Sequence, residues 1–122
     1  MDQSLQDPAI CKVSPMSVCN PLYGTSVGRG AFNFTPGFWN TVEQIVTLNT
    51  VTNNSYVADG RIAIKFNGKI VIEFNKIVWR SMDSVKFQGL QWDTFFGGSD
   101  NSWITPVTQL SYFRDLQLSI LN

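Results

Sequence analysis

The 122 residues carry nine basic and nine acidic side chains and no histidine, and only 15% of them are charged while 13% are aromatic. That length fits one domain at most, able to bury about two-thirds of its unfolded surface. The cancelled charge leaves no electrostatic footprint for nucleic acid or an anionic membrane. Without histidine there is no histidine-based triad, and two cysteines cannot complete the usual zinc or iron ligand sets, so no metal or other cofactor is expected.

Residues 1–25 are rich in Pro, Ser, Asp and Asn with no sustained period, which predicts an irregular lead-in. The opening Met1-Asp2-Gln3-Ser4 lacks the apolar run of a secretion signal, and no stretch approaches the roughly 18 apolar residues of a membrane span. Taken literally, that is a cytosolic protein. Cys11 and Cys19 point the other way. They bracket CKVSPMSVC, too irregular for a helix and short enough to close as a disulfide loop, with two free thiols as the alternative.

From Ser26 the texture changes. SVGRGAFNF, WNTVEQIVTLN, RIAIKF, KIVIEFN, VKFQGLQWDTFF and YFRDLQLSI are enriched in β-branched and aromatic residues with period-two alternation, separated by Pro, Gly, Asn and Asp clusters. The strand through Trp39–Asn49 puts Val42, Val46 and Leu48 on one face and Thr41, Glu43 and Thr47 on the other, with Gln44 and Ile45 out of place. Around Asn67-Gly68, a two-residue turn divides the isoleucines between faces. A three-residue turn with Gly68 left-handed pairs Ile64 with Ile70 and Ile62 with Ile72, sets Arg61 opposite Glu73, and is preferred. At most one helical turn is expected, near Thr105–Leu110. Two N-glycosylation triplets occur: Asn53-Asn54-Ser55 in a loop-like stretch, and Asn33-Phe34-Thr35 in an expected strand and followed by Pro36. Such triplets arise often by chance and add little on sequence alone.

The expectation is an all-β, antiparallel β-sandwich of jelly-roll (concanavalin-like) type, incomplete in this chain, with 1–25 as lead-in and 26–122 as the sandwich part. The blocks SVGRGAFNFTPGFWNTVEQIVTLN, DGRIAIKFNGKIVIEF, FQGLQWDTFFGGSDNSW and TQLSYFRDLQLSI, in that order and spacing, resemble the carboxy-terminal half of polysaccharide lyase family 14, the alginate-lyase-like family, over about residues 10–120. The resemblance implies a secreted protein whose concave sheet forms a cleft for an acidic polysaccharide, cut by β-elimination. It also implies catalytic groups in a Lys-Gly-Gly-Lys-like stretch, in arginines on the next strand and in a Tyr-x-Tyr pair, all before the VGRG block. None of these motifs occurs here, and Tyr23, Tyr56 and Tyr112 match none of those positions. The expectation is therefore that this chain begins after the catalytic strands, and no catalytic residue is carried over.

Four residues are candidates for substrate contact. Arg29 lies between Gly28 and Gly30, where a guanidinium suits a uronate carboxylate; a structural arginine held by neighbouring carbonyls or carboxylates carries somewhat more weight. Gln91, Asp93 and Phe95 share one strand face and become cleft candidates if Leu90 and Phe96 mark the core side, with Trp92 read as core rather than as a sugar platform. Gly97-Gly98-Ser99-Asp100 reads as a turn that folds Trp103 back, and Asp93 with Asp100 makes no glycosidase acid pair. The competing function is a non-catalytic carbohydrate-binding or structural jelly-roll remnant.

Overall fold

The computed structural model describes residues 2–53, 55–94 and 100–120. It is all-β and antiparallel, with short 3₁₀ turns at Gln3–Leu5, Pro8–Lys12 and Asn101–Trp103 and no α-helix among those residues. The chain divides into two compact units, Met1–Gln88 and Gly89–Asn122.

In the first unit, β1 (Val18–Asn20) and β2 (Gly24–Ser26) form a two-stranded ribbon. β3 (Val42–Thr47), β6 (Gly60–Phe66) and β7 (Lys69–Ile77) form a three-stranded sheet in the order β3-β6-β7. Between β3 and β6 stands a small hairpin of β4 (Val51–Thr52) and β5 (Ser55–Tyr56). The lead-in is more regular than its composition suggests, since the disulfide Cys11–Cys19 closes, with a Cα separation of 5.7 Å, and β1 begins inside the loop it makes. The VGRG stretch, expected in a strand, is a turn instead. Both of its glycines have positive φ, which a ladder residue does not adopt. Asn33-Phe34-Thr35 likewise lies outside any strand.

The β6–β7 hairpin corrects the preferred register. Asn67 (φ 48°) and Gly68 (φ 81°) are both left-handed, the signature of a two-residue type I′ turn, and Phe66 pairs with Lys69. The extra residue sits in β7 rather than in the turn: Lys65 pairs with Ile70 but Ile64 pairs with Ile72, so Val71 is a bulge. Ile62, Ile64, Ile72 and Phe74 therefore share one face with Val42, Gln44 and Val46, while Ile70 turns to the other. Thr41 N–H donates to Asn67 Oδ1 at 2.8 Å, and Asn67 N–H donates to the Thr41 carbonyl at 2.9 Å, tying the turn to the start of β3.

The two faces have different chemistry. The apolar one is covered from the amino-terminal side: Gly28 lies on Ile72, Phe32 stacks on Phe66 at 4.7 Å, and Phe34 meets Phe66 edge-on at 5.7 Å. The other carries two ion pairs, Arg61–Glu73 at 2.7 Å and Lys65–Glu43 at 3.1 Å, over a fully buried Ala63. The Arg61–Glu73 contact expected from the sequence is present, but it is diagonal, because Glu73 stands directly opposite Ala63.

Asn49 is 0% exposed and ties two distant chain segments together. Its Oδ1 accepts from the Trp79 and Arg80 amides at 2.8 and 2.9 Å, its Nδ2 donates to the Arg80 carbonyl at 3.0 Å, and Arg80 Nε donates back to the Asn49 carbonyl at 3.2 Å. A buried carboxamide satisfied on both ends stabilises a unique arrangement rather than costing desolvation energy.

The second unit has no strand among its described residues. Residues 89–94 and 104–120 are extended or irregular, and the helical turn expected at Thr105–Leu110 is instead a 3₁₀ turn at Asn101–Trp103, started by the Asp100 side chain accepting from Ser102 N–H at 2.9 Å. Leu110, Tyr112, Leu116, Leu118 and Ile120 are all exposed. Their alternation is strand-like, but the described residues of the unit supply no ladder partner for it.

Candidate carbohydrate-binding site

Arg29 is placed by its neighbours' backbones. Gly28 (φ 65°) is buried so closely that a Cβ there would stand 2.7 Å from Ile72 Cγ1, and Gly30 (φ 81°) passes Pro15 of the disulfide loop. Gly28 N–H donates to Ser17 Oγ at 2.9 Å, Arg29 N–H to the Met16 carbonyl at 2.6 Å, and Ala31 N–H to the Gly28 carbonyl at 3.1 Å. The backbone is thus fastened on both sides of a side chain that is itself exposed. Among the described residues its guanidinium meets no carboxylate or carbonyl, whereas Arg61 and Arg80 are both engaged. A guanidinium held on a pinned loop, without an internal acid, is a ready partner for an external carboxylate.

Sequence reasoning did not single out Lys12, which lies in the same disulfide-closed loop, is exposed and has no acidic partner among the described residues. Sequence could not have marked it, because Lys65, Lys76 and Lys86 look no different and each meets an acid, while Lys69, like Lys12, meets none among the described residues.

Gln91 and Asp93 do come together: Gln91 Nε2 donates to Asp93 Oδ2 at 2.6 Å, on a segment that is exposed and not in a strand. Trp92, between them, turns away to meet Phe113 edge-on at 5.1 Å. Phe95 lies outside the described residues, as do Phe96 and the Gly97-Gly98-Ser99 stretch. Arg29 belongs to the first unit and the Gln91–Asp93 pair to the second.

A cavity of about 330 Å³ in the first unit is lined by Ile10, Val27, Ile62, Ile77 and Trp79 with Tyr23, Gly24 and Thr25. It offers no cation, so a polyanion finds nothing there to replace its hydration. The indole N–H of Trp79 is buried without a partner among the described residues, beside Gly60, where a Cβ would collide with the ring and with the Ile77 carbonyl. The three tyrosines bring no paired acid and base with them, for none of their hydroxyls has a hydrogen-bond partner among the described residues. Those residues contain no group of three His, Cys, Asp or Glu able to hold a metal, and no helix long and apolar enough to cross a membrane.

The first unit is thus antiparallel and all-β, with the exposed cation Arg29 on a glycine-fastened turn. Residues 2–116 match the family model for polysaccharide lyase 14, and the chain belongs to that family. No curated protein and no solved structure matches it.

Proposed function

We propose that this chain forms the substrate-holding part of a secreted lyase that cuts a polyuronate, of the alginate or glucuronan type, by β-elimination, and that the 122 residues alone bind the polymer without cutting it. Membership of the polysaccharide lyase family supports the class of reaction. The observation that carries the substrate reading is Arg29, an exposed guanidinium on a fastened loop with no internal acid. In the elimination a base takes the C5 proton, its electrons form the C4–C5 double bond, the C4–O bond breaks, and an acid protonates the leaving oxygen. A cation against the C5-carboxylate stabilises the charge that develops there, so it both binds the ground state and assists the step.

Gln91 and Asp93 fit sugar hydroxyls, the carboxylate as acceptor and the amide as both donor and acceptor, and Phe95 would add a stacking face. The reading of the isolated chain as inactive rests on two observations: its sequence contains neither the Lys-Gly-Gly-Lys nor the Tyr-x-Tyr groups of the family, and no tyrosine hydroxyl has a hydrogen-bond partner among the described residues. The disulfide favours an oxidising, extracellular setting.

The test is migration through a gel containing alginate or glucuronan, together with ultraviolet absorbance for unsaturated uronate. Retardation without new absorbance, with retardation lost in Arg29→Ala and weakened in Arg29→Lys, is the expected result. Cleavage by the unaided chain would overturn the inactivity, and unaltered retardation of Arg29→Ala would remove the arginine from the site.

A further inference from the structure

The triplet Asn53-Asn54-Ser55 gains from the fold a meaning that it lacked as sequence. Val51 pairs with Tyr56 and Thr52 with Ser55, so Asn53 begins the two-residue connection at the tip of the β4–β5 hairpin. Its φ of 51° is the left-handed conformation that such tips require and that asparagine tolerates better than most residues. Thr52, Asn53, Ser55 and Tyr56 are all exposed, and the Asn53 carboxamide makes no hydrogen bond among the described residues. The base of the hairpin is firm: Asp59 accepts from Thr50 N–H and Thr50 Oγ1, each at 2.7 Å, and Val57 N–H donates to the Thr50 carbonyl at 2.9 Å. A bulky group on Asn53 therefore projects into solvent without displacing the core.

The second triplet, Asn33-Phe34-Thr35, serves as an internal contrast. Thr35 precedes Pro36, which drives it toward extended backbone and away from the turn that brings a hydroxyl back to the asparagine two residues earlier. Its backbone is also clasped by Asn40, whose Oδ1 accepts from Thr35 N–H at 3.2 Å and whose Nδ2 donates to the Thr35 carbonyl at 3.0 Å.

We propose that Asn53 is an N-glycosylation site and that Asn33 is not, an inference that rests on the reading of the chain as one made in an oxidising secretory compartment. The co-substrate is an oligosaccharide on a lipid pyrophosphate. Asn53 Nδ2 forms the new bond to the anomeric carbon of the first sugar, the bond from that carbon to the pyrophosphate oxygen breaks, the lipid pyrophosphate leaves, and the amide nitrogen gives up one proton.

The experiment expresses the full chain behind a signal peptide in a eukaryotic host and examines total cell protein as well as medium, so that a retained chain is still read. Wild type and Asn33→Gln are expected to carry one glycan removable by peptide-N-glycosidase, and Asn53→Gln and Ser55→Ala none. Release in heavy-oxygen water should mark position 53 alone as aspartate, a readout that does not depend on any variant folding. An unmodified wild-type chain that nonetheless forms its Cys11–Cys19 disulfide in that compartment would overturn the site while leaving the oxidising-compartment reading intact. A glycan that persists in Asn53→Gln, or a heavy-oxygen mark at 33, would overturn the assignment.

Discussion

Residues 60–77 and residues 111–120 alternate apolar and polar side chains in much the same way, yet the first stretch is a hairpin and the second has no strand. The difference lies in what each finds to pair with. In the first, an Asn-Gly turn returns the chain on itself, β3 adds a third strand, and Gly28, Phe32 and Phe34 cover the apolar face. In the second, Leu116, Leu118 and Ile120 are exposed and no backbone ladder forms. Alternation specifies which face is apolar; it does not supply the partner strand that satisfies the backbone.

The widest separation between the two stretches should appear in amide hydrogen exchange. Amides of Ile62 and Ile64 in the central strand should exchange at least about a thousandfold more slowly than those of Gln117 and Ser119, as expected between a core opening and an exposed segment. Equal protection would mean that residues 111–120 find a partner in solution, through self-association of their exposed apolar side chains.

Asn49→Ala should be the most damaging single substitution in the first unit, because it leaves the part-buried amides of Trp79 and Arg80 without the acceptor that a fully buried side chain supplies. A loss of about 3 kcal/mol in chemical denaturation is expected. A cost within experimental error would show that water replaces the carboxamide and that the clasp is dispensable.

Two glycines sharpen the account of the hairpin and its cover. Gly28→Ala meets both a positive φ and the Ile72 side chain, whereas Gly68→Ala meets a positive φ and open space. The expected costs are about 2–3 kcal/mol for the first and about 1 kcal/mol for the second. Equal costs would indicate that Gly28 does not press on the sheet as described.

Much of this was legible in the residues. The strands of 42–47, 60–66 and 69–77, the disulfide and the left-handed Gly68 follow from period, spacing and turn chemistry, and the family from four ordered blocks. The bulge at Val71 was not, because moving one extra residue between the turn and the strand leaves the local pattern nearly unchanged while altering every cross-strand pair beyond it. Nor was the clasp around Asn49 and Arg80, whose partners lie about 30 residues apart and carry no periodic signal. At the candidate site, Arg29 was visible through its flanking glycines. Its lack of an internal acid was not, since that depends on where Glu43, Glu73 and Asp83 are spent.

The smallest expected effect concerns pH. Hydrogen bonds from the Thr50 hydroxyl and amide hold the Asp59 carboxyl below its ordinary value. A depressed folded-state value means that the contribution is present above about pH 4 and is lost as pH falls through the folded value. Asp59→Asn should therefore lower stability slightly at neutral pH, where the carboxylate's contribution is present, and flatten a shallow acid-side decline measured from pH 5 downward. An unaltered acid limb would place the decline on other carboxylates, such as Asp83, held low chiefly by Lys86.

The central claim is that this chain recognises a uronate carboxylate through Arg29, and a calorimetric or fluorescence titration with alginate or glucuronan beside the same polymer after reduction of its carboxyl groups tests it most directly. The account predicts binding to the acidic polymer that weakens with salt, falls sharply after carboxyl reduction, and is reduced to a similar extent by Arg29→Ala. Equal affinity for the reduced polymer, or full affinity in Arg29→Ala, would contradict it.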